Sequence, residues 1–352
     1  MSGQAKPSKP QYKVPSMKEI RALKRNGFKA ISTFSGCGGS SLGYKMAGYE
    51  VLWANEFVPA AQDTYRANHT DTILDTRDIR KIKPSEILKA IGIKKGELDL
   101  LDGSPPCSSF STAGKRHDGW GKVKAYSDTK QRTDDLFFEF VRILRGLKPK
   151  VFVAENVSGL VKGSAKGYFL NILKELELSG YNVSARLLNA QWLGVPQARQ
   201  RLIFVGVRKD LKIDPVHPEP LPYYYSIRDA LKYVPDSVED ESDISKHAIG
   251  SEWDKLGQGM ASEKYFSLVR PFLDAPCPTV TAMGGLGGIA GVTHPTEKRK
   301  FSIAELKRIC SFPDDFILTG TYSQQWERCG RSVPPVMMYH IASTISKKIL
   351  CK

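Results

Sequence analysis

The stretch AISTFSGCGGSSLGYKMAG, residues 30–48, decides how this chain is read. A short apolar run leads into glycines at Gly36, Gly38 and Gly39 and then into an amphipathic run, the pattern of strand, tight turn and helix. Glycines there let the backbone bend sharply and let a ligand approach N–H groups at the helix start, although such turns serve equally often as packing devices. Outward from this point the alternation repeats. YEVLWAN precedes PAAQDTYRANH, LDLLDG follows, LFFEFVRILRGL leads to VFVAENV, and FLNILKELELSGY leads to the strand LIFVGV at residues 202–207. Strand and helix in alternation predict an α/β fold, a parallel sheet with helices on both faces. The pattern stops at about Arg208. From there to Lys300 the chain is rich in Pro, Gly and Tyr with weak periodicity, which predicts a smaller and less regular module. IAELKRICSF and VMMYHIASTISKKIL close the protein as helices, the latter with one apolar face.

The 352 residues are 41% hydrophobic and 25% charged, enough for one large domain and a smaller one. A net charge of +15 makes polyanions, nucleic acid first among them, the expected partners, the plainer alternative being a solubilising surface. Cys37, Cys107, Cys277, Cys310, Cys329 and Cys351 form no CxxC pair, and no histidine cluster has metal-ligand spacing. Reduced thiols, no metal site and a cytoplasmic location are therefore expected. Residues 1–27 read as a polar, basic extension ending in a short helix, a solvated tail rather than a DNA-binding arm. No run approaches the roughly 18 apolar residues of a membrane span.

In an open parallel sheet, ligands bind beyond the carboxyl ends of the strands, so the residues there carry the chemistry. The second strand ends at Glu56, placed to accept from two ribose hydroxyls, and Asp78 follows the next strand-like run, placed to accept from an adenine amino group. The sharpest feature is Ser104-Pro105-Pro106-Cys107-Ser108-Ser109-Phe110-Ser111, where prolines stiffen the backbone just ahead of a thiol. A lone cysteine is usually a small buried hydrophobe, but one on a rigid turn at a strand end is a candidate nucleophile. Residues 113–133, poor in apolar side chains, read as a mobile loop. The fifth strand then delivers Glu155 and Asn156, setting a carboxyl beside the cysteine if the two strands are neighbours. In Gln197-Ala198-Arg199-Gln200-Arg201 the alternation puts two guanidinium groups on one side of an entering strand, able to hold a phosphate, a carbonyl oxygen or the Glu155 carboxylate.

Taken in order, FSGCGG, the Pro106-Cys107 turn with Phe110-Ser111, ENV at 155–157, QARQR at 197–201 and GRSVPP at 330–335 resemble the cytosine-5 DNA methyltransferase family, from Lys29 to the C-terminus. The resemblance implies a Rossmann-like, S-adenosylmethionine-dependent methyltransferase fold, with a mixed, mostly parallel seven-stranded sheet and a smaller target-recognition domain. The implied division is a basic extension over 1–27, a catalytic domain over 28–207, target recognition over 208–300, and C-terminal helices over 301–352 that return to the catalytic domain. Phe34, Glu56, Phe57, Asp78, Ile79 and Leu136 are implied around the S-adenosylmethionine, with Phe57 against the adenine, and Pro106 and Ser332 belong with them. Cys107 is implied as the thiolate that adds to carbon 6 of a cytosine flipped out of double-stranded DNA. Glu155 serves ring nitrogen 3, Arg201 the base carbonyl oxygen, and Arg199 orients neighbouring groups. A monomer is expected. The chain departs from the family in two places: Ser32-Thr33 stands where an aspartate usually comes just before the first-motif Phe, and Gly330-Arg331 stands where Gly-Asn is usual. Three other readings are open. Methylation of an exocyclic amino group uses an Asp/Asn-Pro-Pro-aromatic turn, which Ser104-Pro105-Pro106-Cys107 is not. Transfer RNA is the substrate of one branch of the family, and a non-catalytic DNA-binding relative could retain the fold.

Overall fold

The computed structural model describes residues 9–106, 124–126, 129–131, 135–162, 165–234, 239–265, 267–286 and 289–352. The chain divides into two compact units. One comprises the described residues of Leu23–Leu188, Gln200–Pro218 and Met338–Lys352, and the other those of Met1–Ala22, Asn189–Arg199 and Glu219–Met337. The strands are β1 (Lys29–Thr33), β2 (Glu50–Asn55), β3 (Ile73–Asp75), β4 (Leu100–Gly103), β5 (Lys124–Tyr126), β6 (Thr129–Gln131), β7 (Val151–Val157), β8 (Tyr181–Asn189), β9 (Gln197–Ala198), β10 (Gln200–Arg208), β11 (Met260–Ala261), β12 (Val269–Arg270) and β13 (Cys277–Pro278). The α-helices are α1 (Met17–Ala22), α2 (Gly39–Met46), α3 (Pro59–Asn68), α4 (Pro84–Ile91), α5 (Leu136–Leu147), α6 (Lys166–Leu178), α7 (Ile227–Leu231), α8 (Ala248–Trp253), α9 (Ile303–Ile309), α10 (Tyr322–Arg331) and α11 (Pro335–Ile345).

The first unit is built on a seven-stranded sheet in the order β3-β2-β1-β4-β7-β10-β8. β3, β2, β1, β4 and β7 pair in parallel, and β10 runs antiparallel to β7. This is the mixed, mostly parallel seven-stranded sheet that the family resemblance implies; the alternation alone predicts the parallel part of it. Strands covered on both faces must be apolar on both, and β7 and β10 are accordingly buried through Val151–Glu155 and Leu202–Val207. Helix α5 shows why its sequence is helical. Leu136, Phe137, Phe140, Val141, Ile143, Leu144 and Leu147 recur on one side and are buried, and the helix stops at Lys148, whose φ is 53°. Phe140 meets Phe152 of β7 edge-on at 5.9 Å, so truncating either ring should cost about 3–5 kcal/mol.

Strand β8 was missing from the sequence reading. It occupies the sheet edge and only Tyr181 in it is buried, so its residues lack the clean alternation of a half-buried strand. The hairpin β5–β6 falls inside the segment read as a mobile loop, most of which lies outside the described residues.

In the second unit the solvated-tail reading of the N-terminus is corrected for its described part. Tyr12 donates to the Arg308 carbonyl at 2.7 Å, the Met17 N–H to Asp315 at 2.9 Å, and Met17 and Ile20 are buried. Lys9 adds an ion pair to Asp229 at 2.6 Å and Tyr12 a ring contact to Tyr225 at 4.9 Å. Elsewhere in this unit the buried Lys300 ammonium donates to the carbonyls of Gly284, Leu286 and Ile289, organising the glycine-rich segment after Thr281. Among the described residues, no helix is long and apolar enough to cross a membrane, and no group of three His, Cys, Asp or Glu is arranged to hold a metal ion.

Candidate active site

Strand β1 runs into a turn of unusual backbone. Phe34 has φ 54°, Gly36 φ 54°, and Gly38, the residue before α2, φ 94°. At Gly38 a Cβ would come within 2.2 Å of the His69 ring, so only glycine fits. At Gly36 a Cβ would meet nothing within 4 Å, so open space lies beside this backbone. The end of β2 closes onto the same turn: Glu56 accepts from the Gly36 N–H at 2.6 Å through one oxygen and from the Val58 N–H at 2.7 Å through the other. Glu56 is thus buried while Phe57, next in the chain, leaves 37% of its surface exposed. Asp78 caps the short turn of residues 79–81 by accepting from the Arg80 N–H at 3.0 Å, and Arg80 bridges Asp78 and Asp135 at 3.0 and 2.7 Å. Ile79 and Leu136 are buried. An open glycine turn at a helix start offers N–H donors, two carboxylates on successive strand ends offer acceptors and an exposed ring offers an apolar face, a set suited to an adenosine bearing a charged side arm.

The second cluster is built from the next strands. β4 and β7 are neighbours, in register Asp102 with Val153 and Gly103 with Ala154. Beyond Gly103, the Ser104 N–H donates to the Thr33 carbonyl at 3.3 Å, and Asn156 of β7 donates its side-chain amide to the Pro105 carbonyl at 3.2 Å. Asn156 therefore ties the ENV segment to the proline turn, a link its own sequence does not advertise. Pro106 is the last described residue before Cys107, and Cys107 itself lies outside the described residues. Glu155 and Arg201 form an ion pair, Nε to Oε1 at 2.8 Å, with only 12% and 14% of their side chains exposed. Burial pulls the Arg201 guanidinium below its ordinary pKa, and Glu155 pushes it back up. Such a pair holds both partners in one orientation, and losing either leaves a buried charge.

Asp102, an acid in the otherwise apolar β4, was not singled out from the sequence. Its carboxyl is 1% exposed and accepts from Ser32 Oγ at 2.7 Å and from the Tyr44 hydroxyl at 3.1 Å. Burial pushes its pKa up to about 7, with the two hydroxyls pulling it down and Glu155 adding to the rise.

Arg199 lies in a break between β9 and β10 and donates to the carbonyls of Val280 at 3.1 Å and Gly330 at 2.8 Å. The alternation had placed it on one strand with Arg201, but the backbone turns at residue 199, where its N–H bonds the Gln197 carbonyl at 3.0 Å. Gly330 must be glycine because a Cβ would meet the Thr281–Ala282 backbone at 2.7 Å. The unusual Arg331 is accommodated on α10 by Glu327, one helical turn back, at 2.6 Å. Ser332 ends that helix, its hydroxyl donating to the Cys329 carbonyl at 2.9 Å.

Comparison with known proteins places the chain in a family. Residues 28–347 match the family described as C-5 cytosine-specific DNA methylase. The chain is 33% identical over 343 residues to the type II methyltransferase M.NgoFVII of Neisseria gonorrhoeae, covering 90% of this chain and 86% of that one. It is also 33% identical over 355 residues to the type II methyltransferase M.FnuDI of Fusobacterium nucleatum, covering 92% and 96%. Among solved structures, a prophage-encoded protein of E. coli superposes with a TM-score of 0.72 at 22% identity, covering 93% of this chain and 100% of that one, which supports the fold. Fold, ordered motifs and relatives converge, and the chain belongs to the C-5 cytosine-specific DNA methylase family.

Proposed function

We propose that this protein methylates carbon 5 of a cytosine extruded from duplex DNA, with Cys107 as the nucleophile. The observation that carries the proposal is the Glu155–Arg201 pair, with Glu155 on β7 next to β4 and Arg201 on β10 at the far side of β7, β4 being the strand that leads through Pro105 and Pro106 to Cys107. S-adenosylmethionine, when bound, supplies an electrophilic methyl group. The residues that would hold it are the turn at Gly36, Gly38 and Gly39 with Phe34, the carboxylates of Glu56 and Asp78, and Phe57, Ile79, Pro106, Leu136 and Ser332.

Carbon 5 of cytosine is a weak nucleophile until a bond forms at carbon 6. The Cys107 thiolate adds there, electron density moves to carbon 5, and a proton shared between Glu155 and ring nitrogen 3 absorbs the charge building on the ring, a contribution of roughly two to four powers of ten. Arg201 donates to the base carbonyl oxygen while holding Glu155 in place. Carbon 5 then takes the methyl group that S-adenosylmethionine would supply, the methyl–sulfonium bond breaking as S-adenosylhomocysteine departs; a base then takes the proton from carbon 5, and Cys107 leaves as thiolate, restoring the aromatic ring. A stacked cytosine cannot reach these groups, so the nucleotide leaves the helix first. Arg199 acts at a remove, by tying β9 to residues 280 and 330.

In this proposal residues 28–207 are the catalytic domain, 208–300 recognise the target sequence, and 301–352 return to the catalytic domain; the compact units divide the chain differently, grouping Asn189–Arg199 and Glu219–Met337 together and Met338–Lys352 with the sheet. The net charge of +15 supports a nucleic-acid substrate, and relatives named as type II methyltransferases favour DNA over transfer RNA. A monomer acting in the cytoplasm completes the reading. Transfer of labelled methyl to duplex DNA, with bisulfite sequencing of the product, tests it: label fixed at carbon 5 of cytosine supports the proposal, and label on an exocyclic nitrogen or none at all refutes it.

A further inference from the structure

The chemistry above makes no use of Asp102, yet that residue joins three elements of the site. Ser32 of β1 and Asp102 of β4 are register partners, and the serine hydroxyl closes on one carboxyl oxygen at 2.7 Å. Tyr44 of α2, itself fully buried, closes on the other at 3.1 Å, and Thr33 Oγ1 donates to the Asp102 backbone carbonyl at 3.0 Å. The turn at residues 34–39 is therefore held at both ends, by Ser32 before it and by Tyr44 after it, to one side chain on the strand that continues to Cys107. A buried carboxyl satisfied by hydroxyls is costlier than the apolar residue a central strand would ordinarily carry.

We infer that Asp102 is a positioning residue for methyl-donor binding, fixing the 34–39 turn and α2 to β4 through Ser32 and Tyr44. The inference rests on reading that turn as the S-adenosylmethionine site. Exchanging the two residues keeps the composition of the pair and reverses only which strand bears the charge.

The test is calorimetric titration of the full chain with S-adenosylhomocysteine, a readout independent of turnover. Asp102→Ser should weaken binding by about tenfold, through loss of the hydrogen bonds that tie Ser32 and Tyr44 to β4. The double variant Ser32→Asp/Asp102→Ser should recover to within about threefold of the parent, because the two positions act as a unit. If Asp102→Ser does not fold, Asp102→Asn takes its place with the same expected weakening, and Ser32→Asp/Asp102→Asn must recover the affinity. A parent protein that binds no S-adenosylhomocysteine overturns the assignment of the turn and this inference with it. A parent that binds, with a single variant that binds equally well or an exchange that restores nothing, overturns the inference alone.

Discussion

Replacing Glu155 by glutamine removes one negative charge and one titratable proton while keeping the size of the side chain. The partner that feels the change is Arg201, whose Nε lies 2.8 Å from Glu155 Oε1 with 14% of its side chain exposed. The amide oxygen can still accept from that Nε, so the structural cost should fall below the roughly 3–5 kcal/mol of fully breaking a buried pair. The catalytic cost is separate. An amide cannot pass a proton to ring nitrogen 3, and losing general-acid assistance slows a reaction by roughly 10²–10⁴, equivalent to about 3–5.5 kcal/mol of barrier. Single-turnover transfer of tritiated methyl to a duplex, with enzyme in excess, reads the chemical step, and urea unfolding of the same preparation reads the structural one. The expected result is a folded protein, less stable by about 1–3 kcal/mol, whose methyl-transfer rate drops at least a hundredfold. A folded variant that transfers methyl at the parental rate would remove Glu155 from the proton role and leave Arg201 as its only business.

Cys107→Ala should abolish methyl transfer while S-adenosylhomocysteine binding persists, and turnover by this variant would refute the covalent route. Asp102 gives a pH signature. Its carboxyl titrates near 7 when folded but near 4 when unfolded, so between those values the folded state holds the extra proton. Its contribution to stability is therefore undiminished below about pH 4, falls as pH rises, and levels off above 7 at a total loss of roughly 4 kcal/mol. Burial of the carboxyl sets the midpoint, Ser32 on β1 and Tyr44 on α2 pull it down, and Glu155 on β7 adds to the rise. Asp102→Asn should flatten this part of the profile, and unfolding midpoints of parent and variant that run parallel from pH 5 to 8 would show that Asp102 does not titrate there. DNA affinity should fall steeply with salt, by a slope of about 0.9 in log–log form for each phosphate neutralised; fluorescence anisotropy showing a flat dependence would exclude phosphate contacts as its source.

What the sequence determined unaided was whatever lies contiguous along the chain. Strand, glycine turn and helix at residues 29–46, the proline turn before Cys107, and the ENV segment at the end of β7 are each a local run whose period or stiffness follows from its own residues. The parallel sheet follows from their alternation. Tertiary structure decided the rest, because it depends on which distant residues meet. The edge strand β8 carries too little burial to print a period. QARQR looks like one alternating strand, but the backbone breaks at Arg199 and sends that residue to Val280 and Gly330 while Arg201 goes to Glu155. Asp102 gains its partners from positions 70 and 58 residues away. A side chain that closes such a gap is fixed by the register of paired strands and the packing of a helix on them, and no window along the chain is long enough to hold that information.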